Sequence, residues 1–355
     1  MKHIYKIAFL FLLVPTLIFA TNGLKGKHTK TKTIKREFNV SADATVDLDN
    51  KYGSIDIQTW HQNKVTLEII ITTKSSNESK AQNKLDDIYI DFENSNNRVY
   101  AKTKFEKSSS WNWGNNNNVS MDIQYIVRMP KSNKLIVDMD YGDVMLDKIA
   151  GKTDINIDYG RLIAGELSND SNSINLDYST GTTIDFLKNG NIDADYSTIT
   201  IDKVGDLNLN ADYSTITIGD SMAVEYDLDY GNLTIGNAVS IVGTSDYTSL
   251  SFGTISGYAS INADYGNLKI DEMGPDFTSV DIDTEYIGVK IGVNRNSSFA
   301  LDIRTQYGSV KVPSKMDIIN RLEKNTKTEL KGTYNGGKGK MIINTQYGSV
   351  KIIEN

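Results

Sequence analysis

Tyrosine recurs through the second half of this chain at a nearly fixed interval, and a repeat of that length constrains the fold more than any other feature. Tyr141, Tyr159, Tyr178, Tyr196, Tyr213, Tyr230, Tyr247, Tyr265, Tyr286 and Tyr307 lie 17 to 21 residues apart, and Tyr347 follows after 40, about two periods. An acid precedes nearly all of them and Gly or Ser follows most, as in INIDYGRLI from Ile155 and LNADYSTITI from Leu209. Tyr52 has a matching context, KYGSIDI, far upstream.

Around each tyrosine, apolar residues alternate, then resume alternating with the parity shifted by one. Leu207, Leu209, Ala211 and Tyr213 share one face, Asn208, Asn210 and Asp212 the other, and Ile216 and Ile218 then resume the inward set. Alternation is the mark of a half-buried strand. A one-residue slip reverses every side chain, so Ser214-Thr215 is expected to bend or bulge, with tyrosine inward and aspartate outward. A unit of about 18 residues cannot bury its apolar face alone, and stacking successive turns at strand spacing solves that problem. The expected fold is all-β: a single-chain β-solenoid, wound as a right-handed β-helix in keeping with the preferred crossover hand. Tyrosine stacks on tyrosine near the corner.

The flanking segments divide as follows. Residues 1–20, with Lys2 and Lys6 ahead of an apolar run ending at Ala20, read as a signal peptide, which places the mature chain in the periplasm or at the cell surface. Residues 21–36 are rich in Lys and Arg without an acid, and read as a flexible arm. Residues 37–130 contain alternating stretches such as KVTLEIIITT and form an irregular β cap over the first open rung, with one helix expected between Asn77 and Asp86. Residues 131–312 carry the repeats. Residues 313–339 interrupt them with a charged stretch that reads as a short capping helix or loop, and 340–355 return as a final coil. No second apolar run is long enough to span a bilayer, and the absence of cysteine excludes both disulfides and an acylated-cysteine anchor.

Chemistry is sparse. The residue before each tyrosine makes a column of acids: Asp140, Asp158, Asp177, Asp195, Asp212, Asp229, Asp246 and Asp264, then Glu285. Stacked neighbours about 5 Å apart repel by roughly 1 kcal/mol even in bulk water. Calcium bridging is one compensation, with Asp158 to Asp264 as ligands beside the column Asn156, Asn175, Asp193, Asn210, Asp227 and Asn262. The plainer alternative is that each carboxylate accepts a hydrogen bond from its own corner backbone. Trp111 and Trp113, in the polar loop SSSWNWGNNNN, either tuck one ring inward or form a platform for a sugar or apolar ligand. Outside the leader the histidines are His28 and His61, isolated from each other and from any nucleophile, so a histidine-ligated metal or a catalytic triad is not expected. The net charge of -7 argues against nucleic acid as a partner.

The stretches NKYGSIDIQTW from Asn50 and YIVRMPKSNKLIVDMDYGDVML from Tyr125, with the repeated DYG and DYS units, resemble the bacterial family of exported β-strand-repeat proteins of unknown function described as putative adhesins, related to head-GIN-domain proteins. The resemblance implies a cell-envelope β-solenoid with no catalytic residues to carry across. The expected function is therefore a non-enzymatic binding, adhesion or scaffold surface for an envelope protein or glycan. A polysaccharide-acting β-helix enzyme and a self-associating structural component are the alternatives.

Overall fold

The computed structural model describes residues 26–106 and 119–355. The signal-peptide expectation and the Trp111/Trp113 loop lie outside them.

The described chain is all-β apart from one helix. Strands Thr182–Asp195, Thr198–Asp212, Thr215–Asp229, Asn232–Asp246 and Ser249–Asp264 lie parallel, each on the next. Their register repeats with the tyrosine period, so that Ile199 pairs with Ile216, Ile216 with Leu233 and Leu233 with Leu250. Identical apolar positions therefore form continuous columns, and Ile199, Ile216, Leu233 and Leu250 are all fully buried. One column alternates in size: Tyr226 is buried and stacks over Gly243, where a Cβ would come within 2.5 Å of the tyrosine ring. A small residue facing a large one keeps the interior at close-packed density.

The turn at each corner differs from expectation. Tyr213 has φ +52°, and the equivalent tyrosines from Tyr52 to Tyr347 all lie between +51° and +64°. A single left-handed residue reverses the alternation by itself, so the bend is at the tyrosine and not at Ser214-Thr215. Asp212 and Tyr213 both point outward, and Ser214 points in, buried. The tyrosines are thus on the outer, solvent face of the stacked strands, 43% to 53% exposed from Tyr141 onward, and the expected inward placement is corrected. Parity alone cannot tell a bulge at the serine from a left-handed residue before it.

Gly or Ser follows most of the tyrosines, for different reasons. Ser197 Oγ lies 2.8 Å from each of the Leu176 and Asp195 carbonyls, between which its one proton is shared, and accepts the Ser179 N–H at 3.0 Å. Where Gly stands instead, the coils approach too closely for a side chain: a Cβ on Gly231 would come within 2.2 Å of the Ser214 carbonyl oxygen.

At the start, strand Thr45–Trp60 carries the first of the repeat tyrosines, Tyr52, and pairs parallel with Lys134–Ile149 on one side. Its other side is covered by Arg98–Phe105 and Val119–Pro130. Antiparallel strands Lys64–Ser75 and His28–Asn39 extend that cover. The basic stretch expected as a flexible arm is thus strand from His28 on, paired along its whole length with Lys64–Ser75. Alternating Thr and Lys suit a half-exposed edge strand, and lysines on an edge discourage further pairing. The helix Glu78–Asp87 matches expectation, with Asn77 accepting from the Lys80 N–H and Ala81 and Leu85 buried.

At the other end, residues 313–339 contain a β-hairpin, Asp317–Lys324 with Lys327–Tyr334, in place of the expected helix or loop. Its second strand pairs antiparallel with Phe299–Gln306 and covers that edge. The chain then returns between two existing rungs: Gly339–Gln346 pairs with both Ser279–Glu285 and Phe299–Gln306. The last coil in sequence is therefore not the last in space.

Candidate functional site

Successive corners bring the outward tyrosines into one stack. From Tyr52 through Tyr141, Tyr159, Tyr178, Tyr196, Tyr213, Tyr230, Tyr247, Tyr265 and Tyr286 to Tyr347 and finally Tyr307, ring centroids are 4.7 to 5.3 Å apart and planes within 11° of parallel. The corners from Tyr159 to Tyr286, and that at Tyr347, are each held by a backbone bond to the adjoining coil, such as Tyr213 N–H to the Asp229 carbonyl at 2.8 Å. Because the ring faces cover one another, the ladder presents ring edges and hydroxyl groups to solvent. The left-handed backbone costs about 1–2 kcal/mol at each non-glycine residue, and stacking on both faces offsets it.

Beside the ladder runs the acid column, and the structure brings every expected member into register. Lys51 pairs in sequence with Asp140, then Asp158, Asp177, Asp195, Asp212, Asp229, Asp246, Asp264 and Glu285, and Gln346 and Gln306 finish the column. Lys51 forms an ion pair with Asp140, and that hydrogen bond raises the lysine pKa. Burial first, and then the neighbouring carboxylates, push Asp158, Asp177, Asp212 and Asp246 above the ordinary carboxylate value. The expected Asx-type bond to the residue's own corner is not the bond observed. The Asp264 carboxylate instead accepts the N–H of Glu285, one coil on, at 2.9 Å.

The second polar column is also formed: Asn156, Asn175, Asp193, Asn210, Asp227 and Asn262 follow one another, with Thr244 completing it between Asp227 and Asn262. Asn156 donates to Asp138 at 2.9 Å and Thr244 to Asp227 at 2.8 Å, so neighbours in this column satisfy one another. A shallow concavity of about 640 Å³ lies on this face, lined by Asn210, Glu225, Asp227, Thr244, Asp281 and Asp283 among others. Among the described residues no three His, Cys, Asp or Glu side chains gather into a metal-holding group. His28 and His61 are exposed and far from the columns in the topology.

Three features of this surface were missed by sequence reasoning. The outward ladder was hidden because inward and outward tyrosine give the same spacing. Tyr52 was recognised by context but not as the first ring of the stack. Lys51 as the terminal counter-charge was legible only as the residue before Tyr52, at the position where the other coils carry an acid.

No described helix is long and apolar enough to cross a membrane. No protein-family model and no curated sequence matches the chain. Among solved structures it is similar to a putative cell adhesion protein of Clostridium sporogenes, at 11% identity over 92% of this chain and 100% of that one, with a TM-score of 0.21. It is also similar to a putative adhesin of Bacteroides fragilis, at 12% identity over 91% and 97% with a TM-score of 0.27. A putative adhesin of Parabacteroides merdae gives 10% identity over 91% and 96%, with a TM-score of 0.32. These neighbours are of the kind the sequence resemblance names.

Proposed function

We propose that this chain is a non-enzymatic, exported β-solenoid, wound right-handed, whose side is a binding surface for a glycan or protein of the cell envelope. The observation that carries the reading is the translational repetition of the exposed face. Every coil from Tyr141 to Tyr265 presents an acid, a tyrosine edge and further polar side chains at the same positions. Catalysis needs one asymmetric spot where an acid, base or nucleophile differs from its surroundings, whereas an extended partner is gripped by repetition. The signal-like leader supports export. The end strands are covered by the hairpin and by the N-terminal sheets, which supports a side-on partner over end-to-end stacking of copies.

A glycan array probed with the full mature chain, with and without calcium, tests the reading. Selective retention of a glycan class without turnover is expected. Release of shortened products from a bound glycan would replace the reading with that of a polysaccharide-acting enzyme.

A further inference from the structure

The face that follows each tyrosine changes character along the stack. Four residues after the tyrosine, an outward column runs Thr200, Thr217, Thr234 and Ser251, and then Lys269, Lys290, Lys351 and Lys311 in consecutive rungs. Lys269 is engaged by Asp271 at 2.6 Å, whereas Lys290, Lys311 and Lys351 are exposed and have no ion pair among the described residues. Three uncompensated ammonium groups at rung spacing repel one another at each step, and the fold does not require them, because Thr and Ser occupy the same column a few coils earlier.

Surrounding charge reinforces the pattern. Over residues 140–288 acids outnumber Lys and Arg by 26 to 6, but from 289 to 355 Lys and Arg outnumber acids by 12 to 5. The acid column also ends here, giving way to Gln346 and Gln306 on the two rungs that carry Lys351 and Lys311. Nearby Glu354 is engaged by Lys315 and Tyr334. The sign of the surface therefore reverses at one end of an otherwise acidic rod, along a straight line of lysines.

Resting on the binding-surface reading above, we infer that this lysine column takes a linear acidic polysaccharide, one bearing carboxylates along its length, laid parallel to the stack. A straight row of equally spaced cations suits a chain with regularly spaced anions. Between the lysines and the tyrosine edges, Asn267, Ser349 and Ser309 add amide and hydroxyl groups suited to sugar hydroxyls. Single-stranded nucleic acid is the less suitable polyanion, because it is gripped by aromatic faces on which bases stack, and here every internal ring face is covered by its neighbour.

Calorimetry of the full mature chain with polygalacturonate, dextran and oligothymidylate, at low and physiological salt, tests the inference. The triple variant Lys290→Thr, Lys311→Thr, Lys351→Thr is compared in each arm after its melting curve has shown an intact fold. Salt-dependent binding of polygalacturonate but not dextran is expected, falling on the order of tenfold or more in the variant as three counter-charges are lost. Undiminished binding in the variant, or no binding of polygalacturonate, overturns the inference, and so does equal binding of oligothymidylate, which would show unselective polyanion attraction. Retention of a neutral glycan on the array with none of the acidic polymer overturns the inference alone. Failure of every glycan and envelope extract to bind removes the underlying reading as well.

Discussion

Replacing Tyr213 by alanine and, separately, by glycine separates the two energies that the ladder combines. The ring is 50% exposed and stacks at 4.8 Å on both Tyr196 and Tyr230. A tyrosine buries 150–250 Å² when covered, so half coverage removes about 100 Å² from water, worth about 2.5 kcal/mol. Two stacked neighbours add about 0.5–1.5 kcal/mol each, and the alanine variant should lose about 3.5–5.5 kcal/mol. Glycine loses the same contacts but escapes the left-handed cost at φ +52°, about 1–2 kcal/mol, less the 0.5–1 kcal/mol by which glycine is normally worse than alanine in a strand. The glycine variant should therefore be the more stable of the two, by up to about 1.5 kcal/mol. At Thr217, an outward position on the next strand with no positive φ, the order should be the ordinary one, alanine above glycine. Urea unfolding followed by far-ultraviolet circular dichroism gives the ranking. Hydrogen exchange of the flanking coils is needed beside it, because stacked repeats can open locally. The reasoning is refuted if alanine exceeds glycine at both sites, or if the alanine variant at Tyr213 matches the wild type.

Three further outcomes follow from the same geometry. Ser197→Ala leaves the buried Ser179 N–H without its acceptor and removes the hydroxyl from the Leu176 carbonyl, while the Asp195 carbonyl keeps the Tyr178 N–H, and should cost about 1–3 kcal/mol in the same unfolding assay. Asp212, whose pKa is raised by burial and by Asp195 and Asp229, takes up its proton more readily in the folded state than in the unfolded one. Its contribution to stability is therefore full below the ordinary carboxylate pKa and lost as pH rises through the folded value. Asp212→Asn should accordingly raise the neutral-pH midpoint by a few tenths of a kcal/mol after screening, with the gain vanishing in acid; a gain that persists at low pH would reject the charge origin. Calcium or a chelator should leave the melting temperature unchanged, because no three carboxylates gather at one point among the described residues, and a shift of several degrees would restore the bridging reading.

How much of this was visible in the sequence depends on what each signal could distinguish. The tyrosine interval and the alternation around it sufficed for all-β stacking, for the in-register acid column and for the buried set Leu207, Leu209, Ala211, Ile216 and Ile218, all of which are below 4% exposure. Those features are local or translational: a period of two assigns faces within a strand, and a repeat assigns partners between strands. The side on which Tyr213 lies was decided by one backbone dihedral, to which residue parity is blind. The strand pairing of His28–Asn39 was hidden by its charge, since edge strands tolerate lysine. Likewise the hairpin at 317–334 and the insertion of Gly339–Gln346 between earlier rungs depend on which edge was left open by coils distant in sequence. The repeat thus determined what each coil looks like and that coils stack. The order in which the last coils stack, and the outward turn that makes the tyrosines a surface, arose only when coils met and competed for hydrogen-bonding edges.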